Sequence, residues 1–287
     1  MLTSLEGQTI LITGASQGIG RAVAIACAKE NANLILFARS NDKLVKVREE
    51  ALKASSNKIK VIHETVDVTS YEQLEKAINS AVKQLGQIDV LINNAGLALG
   101  APKAFPDLSI TEITTMVNTN IMGVMYATHA VLNSGMKERK RGTILNITST
   151  TGLEVPPFPG EAVYHSSKAC QEAFTNVLRT ELQGTNIKVV ALRPGVVATN
   201  FHEQRVGYDK DQYNTFMDGF EPLLADDVAE NAVWMLKQGE RLSITGLNVT
   251  PTAQRTLQVI DKTWNERNGI KKHEMGDQIS KGTRPQD

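Results

Sequence analysis

Seven short apolar runs, rich in β-branched residues, recur along this 287-residue chain and alternate with longer segments of helical spacing. Their near-continuous apolar character is typical of strands buried on both faces of a parallel sheet. The runs lie within Thr9–Thr13, Asn33–Ala38, Lys58–Val68, Ile88–Asn93, Gly142–Thr148, Ile187–Leu192 and Leu242–Val249. Strands and helices that alternate in this way predict an α/β fold, with one doubly wound, Rossmann-type parallel sheet of about seven strands and helices on both faces.

The helical segments and the chain ends define the expected domain. The helices are predicted at Gly18–Glu30, Asp42–Ala54, Tyr71–Leu85, Ile110–Met136, Val163–Leu182 and Asp226–Lys237. No linker rich in Pro, Gly or Ser divides the chain, so we predict a single domain over residues 1–263. Residues of about 200–224 are polar and follow the sixth strand, and we predict that they form a substrate lid, because long loops in compact domains are often functional. Residues 264–287 are predicted to form a polar C-terminal tail, either disordered or docked on a neighbour.

Charge and cysteine content exclude several classes of protein. Lys and Arg total 31, as do Asp and Glu, and a chain without net charge is a poor candidate for binding nucleic acid. No apolar run reaches the roughly 18 residues of a membrane span, and the first residues lack the pattern of a signal peptide. Cys27 and Cys170 are too few for a disulfide framework, and no histidine shows metal-ligand spacing. We therefore expect reduced thiols, a cytoplasmic location and no metal.

The first strand runs into a glycine-rich turn, T-G-A-S-Q-G-I-G, which opens a helix. Glycines after a strand allow close approach of the backbone to a ligand, and the helix N-terminus offers free N–H groups to a pyrophosphate. A tight turn without a ligand is the competing interpretation, but the strand–turn–helix context favours binding. The candidate cofactor residues are Gly14, Ser16, Gln17, Gly18, Ile19 and Gly20.

The second strand ends in Arg39 and Ser40. An NAD-binding unit usually carries Asp or Glu near this point, where the carboxylate accepts a hydrogen bond from the ribose 2′-hydroxyl. An arginine fork and a hydroxyl suit a 2′-phosphate instead. This pair therefore favours NADP over NAD.

Tyr164 and Lys168 are four residues apart in a helical segment, so both side chains lie on one helix face. A neighbouring cation favours the phenolate and lowers the pKa of the tyrosine, which suits proton exchange with an alcohol or carbonyl. Ser149 follows the fifth strand and offers a hydroxyl to a substrate oxygen. These three residues are the candidate proton-transfer group.

Taken together, these motifs resemble those of the short-chain dehydrogenase/reductase family over roughly residues 5–255. The shared features are the glycine turn, N-N-A-G at 93–96, N-T-N at 118–120, Ser149, Y-x-x-x-K at 164–168, and Pro194-Gly195 with Thr199. The resemblance implies a catalytic set of Asn120, Ser149, Tyr164 and Lys168. It also implies further cofactor contacts at Asp67, Val68, Asn94, Ala95, Gly96, Tyr164, Lys168, Pro194, Gly195, Val197 and Thr199.

A narrower similarity joins residues 93–100, 201–209 and 222–228 to NADP-dependent 3-hydroxy acid dehydrogenases, which act on serine, L-allo-threonine and related acids. It implies a small-molecule substrate, whose oxygen Ser149 and Tyr164 would hold. We expect Arg205, six residues past Thr199, to anchor the substrate carboxylate, because an arginine fork can form two parallel hydrogen bonds to a carboxylate. A solvated or locally salt-bridged Arg205 is the competing interpretation. The functional alternatives are a broad carbonyl reductase without a carboxylate requirement and a non-catalytic NADP-binding sensor.

Two further expectations concern the assembly and the substrate pocket. The long helices Ile110–Met136 and Val163–Leu182 carry more apolar surface than one sheet face needs, and relatives pair these helices, so a homotetramer or homodimer is expected. Fifteen positions separate Ser149 from Tyr164, about two more than in close relatives. The extra residues fall in Glu154–Glu161, which borders the expected substrate pocket.

Overall fold

The chain folds around a single seven-stranded parallel sheet in the order β3-β2-β1-β4-β5-β6-β7. The computed structural model describes residues 2–156 and 159–270. The strands are β1 (Thr9–Thr13), β2 (Asn33–Ala38), β3 (Val61–Thr65), β4 (Val90–Asn93), β5 (Arg141–Ile147), β6 (Asn186–Pro194) and β7 (Gly246–Val249). The predicted doubly wound α/β fold is confirmed, because the order runs outward from β1 in one direction and outward from β4 in the other.

Helices cover both faces of the sheet. The described helices are α1 (Gly18–Lys29), α2 (Asn41–Ala54), α3 (Tyr71–Leu85), α4 (Ile110–Val117), α5 (Gly123–Val131), α6 (Lys137–Arg139), α7 (Ala162–Glu181), α8 (Asn200–Arg205), α9 (Lys210–Met217), α10 (Ala225–Leu236) and α11 (Trp264–Arg267). One apolar cluster joins the sheet to α1, α2 and α10, and a second joins its other face to α3, α5 and α7. None of the helices in residues 2–156 and 159–270 has the length and apolar character needed to cross a bilayer.

The predicted long helix Ile110–Met136 is interrupted twice. Wider π-type turns occupy Asn118–Met122 and Leu132–Met136, and Gly135 leaves the helical region altogether with a φ of 121°. The first turn contains Asn120, whose side chain bonds to the backbone of Leu97 in both directions. Helical periodicity alone does not reveal such turns, because an inserted residue leaves the apolar pattern nearly intact.

The predicted lid segment, residues 200–224, contains the short helices α8 and α9. Met217 and Phe220 from this segment are buried with Val196 and Ala253, and Trp264 packs against them. Trp264 is the first residue of the predicted tail, so the start of that tail is docked on this small core. Residues 271–287 lie outside the described part of the chain.

Candidate active site

The glycine turn after β1 is packed directly against the end of β4. The backbone N–H groups of Asn94 and Ala95 both donate to the hydroxyl of Thr13, at 3.1 Å each. The Asn94 side chain donates to the carbonyls of Thr13 and Gly14, at 3.0 and 3.1 Å. Gly14 has a φ of +64°, and a Cβ on it would lie 2.8 Å from Cα of Ala95. Glycine is therefore required here both for backbone conformation and for space.

The first turn of α1 offers backbone donors to the cleft above the sheet. Its N-cap residue, Gln17, makes no side-chain capping hydrogen bond, and the first turn contains no acidic residue. Uncapped N–H groups and the positive end of the helix dipole suit a diphosphate. The turn, the helix end and the glycine cradle together fit a dinucleotide.

Arg39 lies exposed on the rim of the same cleft, at the end of β2, beside Ser40. Lys43 from the start of α2 also lines this rim, and its ammonium donates to the Gln17 side chain at 2.6 Å. Two cations therefore flank the position expected for a 2′-phosphate. Sequence reasoning missed Lys43, although its place in the first turn of α2 was a usable signal.

One cleft at the carboxyl ends of the strands gathers almost all the predicted site residues. The predicted residues that line it are Gly14, Ser16, Gln17, Gly18, Ile19, Arg39, Ser40, Asp67, Val68, Asn94, Ala95, Gly96, Ser149, Tyr164, Lys168, Pro194, Gly195, Val197, Thr199 and Arg205. Gly20 and Asn120 do not line the cleft. Gly20 packs against Asn94 and the Gly14 carbonyl beneath the turn, and Asn120 is fully buried.

Tyr164 and Ser149 meet in the interior of this cleft. Burial raises the pKa of Tyr164 to about 12, while the charge of Arg205 and a hydrogen bond with Ser149 act to lower it. The sequence led us to expect a lowered pKa through Lys168, but the Lys168 ammonium lies 5.9 Å from the centre of the phenol ring. Desolvation outweighs the nearby positive charges, so the phenol carries its proton at neutral pH.

Lys168 is almost fully buried on the same face of α7. Its ammonium donates to the carbonyl of Ile147 at 3.0 Å and to the side chain of Gln171 at 3.2 Å. Burial lowers the pKa of Lys168 to about 8, and the opposing influence of Glu172 is smaller. The lysine is therefore held in place by neutral acceptors.

Asn120 is connected to the lysine through Gln171. The Asn120 side-chain amide donates to the Leu97 carbonyl at 2.8 Å and to the Ser167 hydroxyl at 3.0 Å. Its own backbone carbonyl accepts a hydrogen bond from the Gln171 side chain. The Gln171 amide thus bridges Asn120 and Lys168, a role that no sequence motif indicated.

Aromatic and charged side chains of α8 and α9 line the end of the cleft beside Tyr164. Phe201 lies 5.4 Å from the Tyr164 ring, centre to centre, and His202 and Phe216 continue this wall. Arg205 is buried rather than solvated, and it forms an ion pair with Glu161 from the loop before α7. Neither Glu161 nor the aromatic wall was evident from the sequence, since both contacts join segments that are distant along the chain.

We expect Arg39→Asp to reverse the cofactor preference. The substitution removes a phosphate partner and adds a carboxylate that suits a ribose hydroxyl, so NADPH affinity should fall by about 10- to 100-fold, the scale of a charge-assisted hydrogen bond. NADH affinity should rise. Fluorescence titration with both cofactors measures the change.

Lys46→Asp is the matched control for this variant, because Lys46 lies on α2, is exposed and does not line the cleft. It carries the same change of charge and should leave the cofactor preference intact. Equal effects of the two variants would contradict a specific phosphate contact at Arg39.

The chain resembles known proteins over most of its length. A family model described as short chain dehydrogenase matches residues 8–208. An NADP-dependent 3-hydroxy acid dehydrogenase of Schizosaccharomyces pombe is 38% identical over 254 residues, which are 88% of this chain and 96% of that protein. Sulfoacetaldehyde reductase 2 of Chromohalobacter salexigens is 35% identical over 85% of this chain and 94% of its own length.

A solved structure shows the same architecture with a bound cofactor. The closed form of a serine dehydrogenase complexed with NADP+ superposes with a TM-score of 0.80 at 30% identity, covering 87% of this chain and 97% of that one. The predicted cofactor, NADP, is confirmed by these relatives. The chain is an NADP-dependent oxidoreductase and belongs to the short-chain dehydrogenase family.

Proposed function

We propose that this oxidoreductase interconverts a 3-hydroxy acid, such as serine or L-allo-threonine, and the corresponding 3-oxo acid. The observation that carries the proposal is the position of Arg205 in the cleft beside Tyr164, close enough for its charge to act on the pKa of the phenol. A substrate carboxylate on this guanidinium would direct the β-carbon oxygen toward Tyr164. The S. pombe relative is a 3-hydroxy acid dehydrogenase, which supports the same substrate class.

In this proposal Tyr164 transfers the proton. Bound NADP(H) supplies or accepts the hydride at the β-carbon. Tyr164 donates its phenolic proton to the carbonyl oxygen during reduction and recovers it during oxidation, while Ser149 donates a hydrogen bond to the same oxygen. A pKa of about 12 keeps Tyr164 protonated at neutral pH, which is the form that reduction requires. Lys168 would hold the cofactor ribose, and Asn120 positions Lys168 through Gln171.

We assign the rest of the cleft to the cofactor. The glycine turn and the N-terminus of α1 would receive the diphosphate, Asp67 and Val68 the adenine, and Arg39 with Ser40 the 2′-phosphate. Residues 94–96 would flank the adenosine ribose, and the turn after β6 would hold the nicotinamide. This assignment is supported by the shared cleft in which these residues lie.

A broad carbonyl reductase acting on uncharged ketones is the alternative, and one observation favours it. Glu161 already pairs with Arg205 inside the protein, so the guanidinium has a negative partner before any substrate binds. The aromatic wall beside Tyr164 suits an apolar ketone equally well. The response of acid and ketone substrates to changes at Arg205 separates the two functions.

Tyr164→Phe tests the proton-transfer step. The variant keeps the ring and its contact with Phe201 but loses the transferable proton, so kcat should fall by about 10²- to 10⁴-fold. NADPH binding, measured by fluorescence titration, should stay near the wild-type value. A variant that keeps half of the wild-type turnover would contradict the assignment of Tyr164.

Arg205→Ala tests carboxylate recognition. We expect kcat/KM for a 3-hydroxy acid to fall by roughly 10- to 100-fold, because a charge-assisted hydrogen bond is lost, and kcat/KM for an uncharged ketone to change little. The single variant leaves Glu161 buried without its partner. Arg205→Gln in a Glu161→Gln background, compared with Glu161→Gln alone, avoids this cost. Equal losses on both substrates would contradict a carboxylate anchor.

We also propose that the protein assembles as a homotetramer or homodimer. An apolar groove runs between α4 and α7 and is lined by Phe105, Ile113, Val117, Ile121 and Val163 among others. Apolar side chains that are more than half exposed, at Phe105, Ile110 and Val177, lie on the same elements or next to them. Light scattering at micromolar protein should give the mass of at least two chains, and the mass of a single chain would contradict the proposal. A cytoplasmic location stays a prediction.

A further inference from the structure

Glu161 is a buried carboxylate that pairs with Arg205, a residue that lines the cleft. It is the residue before α7, and only 2% of its surface is exposed. One carboxylate oxygen pairs with Nε of Arg205. Gly160, the residue before Glu161, packs closely against the backbone of Lys103, because a Cβ on Gly160 would collide with the Lys103 carbonyl.

The second oxygen of Glu161 is buried and accepts no hydrogen bond from residues 2–156 or 159–270. Burial raises the pKa of the Glu161 carboxyl, and the charges of Arg205 and His165 act in the opposite direction. A buried carboxylate with one partner depends strongly on that partner, since desolvation disfavours the ionised form. Glu161 therefore loses its main stabilisation when Arg205 binds another anion.

Among the described residues, groups from three elements face this pair. His202 from α8 approaches Nη1 of Arg205 with its Nδ1 at 3.3 Å, and burial lowers the pKa of His202 to about 3, so the ring is a neutral acceptor. From α7, His165 and Tyr164 lie within electrostatic range of Glu161. Lys103, in the loop beside Gly160, directs its ammonium to Glu112 at 3.2 Å. Glu161 is thus a carboxylate partner of Arg205 within electrostatic range of Tyr164.

We propose that Glu161 is a specificity-determining residue. Its carboxylate holds the guanidinium of Arg205, which a substrate carboxylate needs, and Glu161 must be displaced and protonated before an acid substrate binds. Two ionised carboxylates cannot share one buried guanidinium without strong repulsion, so one of them takes up a proton. That proton comes from solvent and joins Glu161, while the substrate carboxylate stays ionised on Arg205. An uncharged ketone binds with the Glu161–Arg205 pair intact, so its binding is not accompanied by protonation of Glu161. The inference rests on the proposed recognition of carboxylates by Arg205.

A charged substrate and its uncharged methyl ester test this coupling. The probes are 3-oxobutanoate and its methyl ester, reduced with NADPH by the full-length protein between about pH 5 and pH 8. Below the pKa of Glu161 in the free enzyme, KM for the acid should be constant, and above it KM should rise by up to about tenfold per pH unit, since one proton is taken up on binding. KM for the ester should not change with pH through this step.

Glu161→Gln removes the competing charge while keeping the shape of the side chain. At the upper end of the pH range, KM for 3-oxobutanoate should fall by about tenfold or more, and its pH dependence should flatten. KM for the ester should stay as in the wild type. Glu30→Gln is the matched control, because Glu30 pairs with Lys237 at 2.8 Å and neither residue lines the cleft.

Two results would overturn the inference: an unchanged or higher KM for the acid in Glu161→Gln, or a wild-type KM for the acid that does not rise with pH. The wild-type pH series tests the inference even if the Glu161→Gln variant fails to fold. Failure of the proposed function gives a different pattern, in which removing Arg205 in the Glu161→Gln background does not weaken the acid selectively. If the selectivity for the acid depends on Arg205 but not on Glu161, only the inference about Glu161 is overturned and not the proposed function.

Discussion

The hydrogen bonds between Thr13 and Asn94 join the two central strands at the edge where the cofactor cleft begins. Thr13 ends β1, Asn94 follows β4, and four hydrogen bonds link these residues with Gly14 and Ala95. In a doubly wound sheet the crossovers after these two strands leave in opposite directions, which opens a crevice between them. The same bonds hold the glycine turn against the end of β4, and this contact sets the direction in which the N-terminus of α1 points.

Helix α7 carries Tyr164 and Lys168 on the other side of the crevice, and three buried charged groups on it or at its N-cap are stabilised differently. Lys168 is held by a carbonyl and an amide, and burial lowers its pKa to about 8. One turn further along, Glu172 receives two hydrogen bonds from Arg193 on β6 and one from Thr148. Glu161 at the start of the helix has Arg205 of α8 as its ionic partner. The helix is thus tied to the sheet at its centre and to α8 at its N-terminal end.

The wide turn at Asn120 shows how a local irregularity serves the site. A continuous α-helix over 110–136 would carry Asn120 on a regular helix face, whereas the π-type turn brings its amide to the backbone of Leu97 and to Ser167. The contact links the segment after β4 to α7. Such turns are often found at functional sites, because they re-aim one side chain without ending the helix.

The sequence alone determined the sheet and its strands, and it identified most of the residues that line the cleft. These features depend on local patterns: buried apolar runs, helical spacing and a glycine turn whose residues are neighbours in the chain. It also brought out Tyr164 and Lys168, whose proximity follows from helix geometry alone. Only the tertiary structure decided the raised pKa of Tyr164, the bridge through Gln171 and the pairing of Glu161 with Arg205. Those features arise from burial and from contacts between segments far apart in sequence, and neither the desolvation of a group nor the identity of a distant partner is encoded in the residues around it.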